Sequence, residues 1–195
     1  MGRTRLVFSG SGGQGVVTAA IILAEAAVLH EGLIAVQTQA YGAAARGAAT
    51  RADVIISDNP INYPKVIQPN IVVCLTQEAY GMYAPIIRPG GLLITDARYV
   101  RTERKVDAIQ RELPMHSAVM EKIGNAVVLN ICMLGALLGL TQLVRTESIL
   151  AVLETRVPQR FLEMNRQALL LGMSLVPENL RPQTDPDSGN PQSIP

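Results

Sequence analysis

The chain contains 195 residues, of which 48% are hydrophobic and 17% are charged, and its formal net charge is +1. This length and composition are typical of a single globular domain with a substantial apolar core. The near-neutral charge provides no general electrostatic basis for binding nucleic acid or an anionic membrane surface.

Strand and helix patterns alternate through the first half of the chain. Apolar runs predict strands at residues 5–9, 33–37, 54–57, 71–75 and 91–96. Helix patterns lie at residues 15–30 and 77–87, and Thr76 is the expected N-cap of the second helix. The alternation predicts a three-layer α/β/α fold around a mostly parallel sheet. Residues 51–57 also fit an antiparallel strand after the segment 41–49, which would make the sheet mixed.

The second half of the chain is predicted to be helical, with helix patterns at residues 117–123, 126–140, 146–157 and 158–173. Thr146 is the predicted cap of the third of these helices, and Pro158 is expected in the first turn of the fourth. Residues 126–140 are almost entirely apolar, but the run is shorter than the ~20 residues that a bilayer span requires. We predict a helix that is buried, either within the chain or at a subunit interface.

The last part of the chain is rich in proline and contains almost no large apolar side chains. Such a segment cannot bury enough surface to become ordered. We therefore predict one domain at residues 1–176 and a disordered tail at residues 177–195.

The two cysteines, Cys74 and Cys132, lie in apolar runs. This predicts buried thiols in a reducing compartment rather than a disulfide. The chain has no paired-cysteine spacing that could hold an iron–sulfur cluster and no Cys/His or carboxylate spacing typical of a metal site. The N-terminus shows no signal-peptide pattern, so the predicted location is the cytoplasm.

The most informative motif is the glycine-rich segment Gly10-Ser11-Gly12-Gly13-Gln14-Gly15. It follows the first predicted strand and precedes the first predicted helix, so its backbone N–H groups and the positive end of the helix dipole would face an anion. Gly10, Gly12 and Gly15 also satisfy the Gly-x-Gly-x-x-Gly dinucleotide fingerprint. The second strand, however, ends in Gln37-Thr38-Gln39 and lacks the carboxylate that would bind a nicotinamide ribose. The motif predicts an anion-binding loop and not the usual dinucleotide site.

A second polar segment follows the second predicted strand. It contains Gln37-Thr38-Gln39-Ala40-Tyr41-Gly42, then Arg46-Gly47 and Arg51. If the first two strands are parallel, this segment lies at the same sheet edge as the glycine loop. Arginines at that edge would bind a phosphate or carboxylate through paired N–H donors. The alternative is that they form surface salt bridges.

Few other residues are candidates for chemistry. His30 ends a predicted helix and His116 precedes one, so each is expected to be a polar cap or surface residue. Asp96 ends a predicted strand, where α/β folds place ligand groups. A turn or cap role explains Asp96 equally well, and both interpretations are kept. No residue is predicted to be catalytic.

Three ordered segments carry a resemblance to a known family. They are residues 10–15 (G-S-G-G-Q-G), 37–47 (Q-T-Q-A-Y-G-A-A-A-R-G) and 54–63 (V-I-I-S-D-N-P-I-N-Y). Together they resemble the gamma subunit of 2-oxoacid:ferredoxin oxidoreductases, and the Q-T-Q-x-Y-G version is similar to that of the 2-oxoglutarate enzymes. Residues 124–136 and 163–172 are also similar to this subunit. One departure is that Ala43, Ala44 and Ala48 replace the proline, glutamate and second glycine of the family segment.

The resemblance implies a subunit of an enzyme that converts a 2-oxoacid, coenzyme A and oxidised ferredoxin to an acyl-CoA, carbon dioxide and reduced ferredoxin. Thiamine diphosphate and iron–sulfur clusters would reside in partner alpha and beta subunits, with or without a delta subunit, and this chain would be inactive alone. The resemblance also implies that the gamma subunit helps to form the coenzyme A pocket. The candidate residues for coenzyme A or another anion are Gly10, Gly12, Gly13, Gln14, Gly15, Tyr41, Arg46 and Gly47.

Two alternatives are kept. The first is the same family with pyruvate, a branched-chain 2-oxoacid or an indolepyruvate-type substrate. The second is a free-standing nucleotide-binding or dehydrogenase-like module, which the missing ribose carboxylate disfavours. Because residues 126–140 are so apolar, we also expect an exposed hydrophobic patch and a homodimer when the chain is expressed alone.

Overall fold

The computed structural model describes residues 2–40, 49–103 and 105–182. The strands are β1 (Thr4–Gly10), β2 (Ile34–Ala40), β3 (Thr50–Ser57), β4 (Ile71–Cys74), β5 (Gly91–Asp96) and β6 (Ala108–Leu113). The α-helices are α1 (Val16–Glu31), α2 (Gln77–Tyr83), α3 (Met115–Lys122), α4 (Leu129–Thr141), α5 (Thr146–Arg156) and α6 (Gln159–Ser174). Short 3-10 helices lie at Ala84–Ile86, Ala126–Val128 and Glu178–Leu180.

The strands form one sheet in the order β2-β3-β1-β4-β5-β6. The pairs β1–β4, β4–β5 and β5–β6 are parallel, whereas β3 is antiparallel to both β1 and β2. The sheet is therefore mixed, as the alternative for residues 51–57 predicted. Because β3 runs against both of its neighbours, β1 and β2 point in the same direction and their carboxyl ends lie at the same edge.

Side chains alternate along each strand and enter two separate cores. Leu6 and Phe8 of β1 face a large core that also contains α1 and the helices α3 to α6. Val7 faces a smaller core that contains Ala79 and Tyr80 of α2. The predicted three layers are thus present, and the whole helical second half packs on one face of the sheet.

Helix α4 is buried along almost its entire length, with Leu140 as its one residue that is partly exposed. Its cover comes from the same chain, because Gly135 lies against the backbone of Leu169 and Gly172 lies against the backbone of Cys132. The prediction of a buried helix is confirmed. Because α6 covers α4, this helix does not supply the hydrophobic patch expected from residues 126–140, and the expected homodimer stays a prediction. Within the described ranges, no helix is long and apolar enough to cross a membrane.

Several boundaries differ from the predictions. The N-cap of α5 is Arg145, and the Thr146 hydroxyl donates to Met173 Sδ at 3.4 Å instead of capping the helix. Pro158 is the N-cap of α6 rather than a residue of its first turn. His116 lies inside the first turn of α3, which begins one residue earlier. Strand β6 was not predicted, because its sequence A-I-Q-R-E-L contains three consecutive polar residues and no apolar run. In the structure, Leu113 is its one buried residue.

The structure describes six residues beyond the predicted domain boundary at residue 176. Glu178–Leu180 form a 3-10 helix, and the Arg181 guanidinium donates to Val176 O at 3.1 Å and Met173 O at 3.3 Å. The first residues of the segment predicted as a tail therefore pack on α6. The remainder of that segment lies outside the described residues.

Candidate functional site

The glycine-rich loop joins the end of β1 to the start of α1 and is closed by its own glutamine. Gln14 Oε1 accepts a hydrogen bond from Ser11 N at 2.7 Å, and Gln14 N donates to Ser11 O at 3.2 Å. A Cβ at Gly10 would collide with Gln14 Oε1 and lie 3.2 Å from Leu75 Cβ. Glycine at position 10 therefore leaves the space in which the Gln14 side chain folds back over the loop.

The other end of the loop is fixed by a residue from α4. Gly15 is the N-cap of α1 and has a φ of 71°, a left-handed conformation that favours glycine. Asn130 Nδ2 donates to Gly15 O at 3.3 Å, and a Cβ at Gly15 would lie 2.6 Å from that nitrogen. Sequence reasoning gave Asn130 no role. The available signal was that Asn130 is a lone amide in an apolar helix, since such a buried group requires a polar partner.

The middle of the loop is open. Gly12 and Gly13 are exposed, and no heavy atom lies within 4 Å of a Cβ built at either residue. The N-cap residue of α1, Gly15, has no side chain that could cap the helix, and the first turn contains no acidic residue. The first amides of a helix need partners, and the helix dipole makes that end positive. The loop can therefore bring backbone donors close to a phosphate or carboxylate.

The loop borders a switch point in the sheet. β1 and β4 are parallel neighbours, but α1 after β1 packs on one face and α2 after β4 packs on the other. The two connections therefore diverge beyond the carboxyl ends of these strands, and open α/β sheets bind ligands at such switch points. Thr76 precedes the first residue of α2, and its Oγ1 accepts a hydrogen bond from Ala79 N at 3.2 Å. Its predicted N-cap role is confirmed.

Three of the predicted site residues, Tyr41, Arg46 and Gly47, lie outside the described residues. The strands that flank them are described. Ala40 pairs with Arg51, and Thr50 pairs with Gly10. The chain therefore leaves β2 and enters β3 at the sheet edge that carries the glycine loop. The glycine loop and the segment after β2 therefore lie at the same sheet edge, as a joint anion site requires. The contribution of Tyr41, Arg46 and Gly47 to that site stays a prediction.

Arg51 is engaged in contacts within the chain. Its Nε and Nη2 donate to the two carboxylate oxygens of Asp53 at 2.6 and 2.9 Å, and Nη2 also donates to Val66 O at 2.8 Å. The guanidinium lies 5.2 Å from the centre of the Tyr83 ring. The ion-pair interpretation of Arg51 is the one that the geometry supports.

Asp96 is a fully buried capping residue at the end of β5. Its Oδ1 accepts a hydrogen bond from Arg98 N at 2.9 Å, and its Oδ2 accepts one from His116 N at 2.7 Å. The carboxylate therefore holds the turn after β5 and the first turn of α3. Both oxygens are used by backbone amides, which supports the cap interpretation rather than the ligand interpretation. The His116 ring packs edge-on against Tyr99, with 5.0 Å between the ring centres.

The two thiols are buried on opposite faces of the sheet, Cys74 in the smaller core and Cys132 in the larger one. Burial raises the pKa of each thiol to about 12, and in Cys132 the nearby Asp96 charge acts in the same direction. The prediction of buried thiols is confirmed. In the described part of the chain, no group of three or more His, Cys, Asp or Glu side chains is placed to hold a metal ion.

The sequence matches a known family over most of its length. A model of the pyruvate ferredoxin/flavodoxin oxidoreductase family matches residues 5–175. The chain belongs to this family. The 2-oxoglutarate synthase subunit KorC of Methanocaldococcus jannaschii is 42% identical over 178 residues, which cover 90% of this chain and 95% of that protein. The pyruvate synthase subunit PorC of Methanothermobacter marburgensis is 31% identical over 166 residues, which cover 83% and 90% of the two chains.

A solved structure shows the same architecture. The gamma subunit of a keto/oxoacid ferredoxin oxidoreductase from Geobacter sulfurreducens is 36% identical and superposes with a TM-score of 0.83, covering 90% of this chain and 97% of that one. The predicted α/β fold with a helical second half is confirmed. The resemblance of the sequence to oxidoreductase gamma subunits is confirmed as well.

Proposed function

We propose that the chain is the gamma subunit of a cytoplasmic 2-oxoglutarate:ferredoxin oxidoreductase. The complex oxidatively decarboxylates 2-oxoglutarate to succinyl-CoA and reduces ferredoxin. The observation that carries this proposal is the 42% identity to a 2-oxoglutarate synthase subunit over nearly the whole of both chains. The lower identity of 31% to a pyruvate synthase subunit favours 2-oxoglutarate over pyruvate.

In this proposal the chain contributes binding and assembly, and its partners contribute the redox chemistry. Thiamine diphosphate and the iron–sulfur clusters reside in alpha and beta subunits, with or without a delta subunit. The chain's own cysteines are buried in separate cores. A thiolate is the form that binds metal, and burial disfavours that form in both residues.

The binding contribution is assigned to the glycine loop. Gly10, Gly12, Gly13, Gln14 and Gly15 form a wall of the coenzyme A pocket, and Tyr41, Arg46 and Gly47 complete it. Coenzyme A carries a pyrophosphate and a 3′-phosphate, and both are anions. Three observations support this assignment: the exposed backbone at Gly12 and Gly13, the N-cap of α1 at a glycine that has no side chain, and the switch point between β1 and β4.

The subunit role is tested by co-expressing the chain with the thiamine-binding and cluster-binding subunits from the same source. The purified complex is assayed with 2-oxoglutarate, pyruvate, a branched-chain 2-oxoacid and indolepyruvate, in the presence of coenzyme A and ferredoxin. We expect the highest kcat/KM for 2-oxoglutarate and no activity from the isolated chain. A preference for another acid would reassign the substrate, and failure to co-purify would reject the subunit role.

The loop assignment is tested with two substitutions at one open position. Gly12→Asp places a carboxylate where a phosphate is expected, whereas Gly12→Ala adds only a methyl group with no atom within 4 Å. We expect Gly12→Asp to raise the KM for coenzyme A about tenfold or more, since a charge-assisted contact is worth ~1.5–3 kcal/mol. Gly12→Ala should leave that KM within about twofold of wild type. The partial reaction without coenzyme A should survive in both variants.

Arg46→Ala provides a second test of the same pocket. Loss of one charge-assisted contact should raise the apparent KM for coenzyme A by about tenfold. If Arg46 instead pairs with a carboxylate of a partner subunit, the variant complex should dissociate. An intact complex with unchanged coenzyme A kinetics would exclude both roles for this arginine.

A further inference from the structure

One amide side chain is buried in an otherwise apolar part of α4. Asn130 is 7% exposed, and the residues that follow it, from Ile131 to Gly139, have apolar side chains or are glycine. Burying an amide costs free energy unless the amide gains hydrogen bonds, whereas a leucine would have no such cost. Asn130 Nδ2 donates to Gly15 O in the glycine loop at 3.3 Å, so its partner lies outside its own helix. The buried amide therefore acts on the loop.

The carbonyl that Asn130 contacts belongs to the peptide group at which α1 begins. Gly15 O also accepts the first hydrogen bond of that helix, from Ala19 N at 3.0 Å. The same peptide group carries the N–H of Val16, which is among the first amides of α1 and has no acceptor within the helix. A hydrogen bond to a peptide carbonyl polarises the group and makes its N–H a stronger donor. The two bonds on Gly15 O therefore strengthen an amide at the end of α1 that attracts anions.

The contact also fixes where this peptide group lies. A Cβ at Gly15 would be 2.6 Å from Asn130 Nδ2 and 2.9 Å from Asn130 Cγ, so the amide packs directly on the loop backbone. Asn130 is held in turn by α4, which is buried and lies against the backbone of α6 at Gly135. Its position is set by the core and not by the loop. Binding groups that a rigid supporting layer holds in place lose less freedom when a ligand binds.

We propose that Asn130 is a positioning residue for the anion site of the glycine loop. Its amide holds and polarises the peptide group between Gly15 and Val16, so that the Val16 N–H binds a phosphate of coenzyme A more tightly. This inference rests on the proposed coenzyme A role of the loop. The competing interpretation is that Asn130 only stabilises the packing of α4 on α1. Its loss would then lower stability with no specific effect on coenzyme A.

The test uses two substitutions of nearly the same size as asparagine. Asn130→Leu removes the donor, and Asn130→Asp replaces the donor with a carboxylate oxygen that accepts hydrogen bonds. Thr141→Val is the matched control, because Thr141 is 6% exposed and its Oγ1 donates to Leu137 O at 2.7 Å. It lies in the same helix but 11 positions further along, which is about 16 Å from Asn130 at the helical rise. The control thus loses a buried hydrogen bond away from the loop.

Each variant is co-expressed with the partner subunits, and calorimetric titration of the complex with coenzyme A, without a 2-oxoacid, gives the Kd. We expect Asn130→Leu to raise this Kd about fivefold, since a single hydrogen bond has a modest net value. Asn130→Asp should raise it about tenfold or more, because its carboxylate also repels a phosphate. Steady-state assays should show the same rise in the KM for coenzyme A, with a much smaller change in kcat and an unchanged KM for 2-oxoglutarate. Thr141→Val should keep the Kd within about twofold of wild type, although it loses stability.

The Gly12→Asp complex, titrated in the same way, separates failure of this inference from failure of the loop assignment. If Gly12→Asp raises the Kd while both Asn130 variants leave it within about twofold of wild type, the positioning role is wrong and the coenzyme A site stands. An equal rise in Thr141→Val and Asn130→Leu would also overturn the positioning role, since the effect would then follow stability. If Gly12→Asp and the Asn130 variants all bind coenzyme A normally, the loop is not the coenzyme A site and both proposals are wrong.

Discussion

Helices α4 and α6 pack with backbone against backbone at Gly135 and Gly172, and Gly172→Ala tests how much stability depends on this contact. A Cβ at Gly172 would lie 2.8 Å from Ala136 N and closer still to Cys132 O, and both are backbone atoms of α4. A backbone atom cannot rotate aside as a side chain can, so the two helices must separate. Overpacking a well-packed core costs ~1–3 kcal/mol when side chains can adjust. Because a whole helix must move here, we expect a loss of about 3 kcal/mol or more in the free energy of unfolding.

Gly81→Ala is the matched control for this substitution. Gly81 also lies inside a helix, α2, but no heavy atom lies within 4 Å of a Cβ built there. Alanine is favoured over glycine in a helix interior by ~0.5–1 kcal/mol, so this variant should be unchanged or more stable. The same added methyl group is therefore expected to have opposite effects at the two positions.

Thermal unfolding followed by circular dichroism measures the difference. For a domain of this size, 1 kcal/mol corresponds to roughly 2–4 °C in Tm, so Gly172→Ala should lower Tm by roughly 6–12 °C. Urea titration should show the same order of stability with a similar m-value. A Gly172→Ala protein within about 1 kcal/mol of wild type, with an unchanged near-ultraviolet spectrum, would refute the claim that the approach of these helices requires glycine.

Three further outcomes are expected. Gly15→Ala should lower the free energy of unfolding, measured by denaturation, by about 2 kcal/mol, because the new methyl group is strained at positive φ and contacts Asn130. The same variant should raise the KM of the assembled enzyme for coenzyme A. Asp96→Ala should cost about 2–3 kcal/mol in urea titration, because two backbone amides lose a buried acceptor. Stability should fall as pH rises above about 9, since the thiols of Cys74 and Cys132 ionise near 9.0 when unfolded and near 12 when folded. Above pH 9 the folded state binds more protons than the unfolded state, so the free energy of unfolding falls by about 1.4 kcal/mol per thiol near pH 10. Replacing both cysteines with alanine should flatten this dependence of stability on pH, whatever its effect on overall stability.

The parts of the fold that the sequence predicted are those with a local signal. Strands β1, β4 and β5 each contain a run of three or more consecutive apolar residues that is buried on both faces of the sheet. The sequence alone does not determine the direction of β3, because strand direction depends on partners far along the chain. β6 lacked such a run, since an edge strand needs less apolar surface. For α4, the apolar sequence predicted burial but could not identify what covers the helix.

The candidate site also has features that a local sequence signal predicts and features that depend on residues far apart in the chain. The glycine requirement at Gly10 and Gly15 is visible as a motif, because the fold of Gln14 over Gly10 and the positive φ of Gly15 involve residues close together in the sequence. The contact of Asn130 with Gly15 O was not predicted, since it joins residues 115 positions apart. The sequence alone fits Asp96 equally well as a ligand group or as a capping residue. The contact that decides between them is the hydrogen bond from the amide of His116, which lies 20 residues later in the chain. Polar residues at strand ends need this long-range information before a role can be assigned.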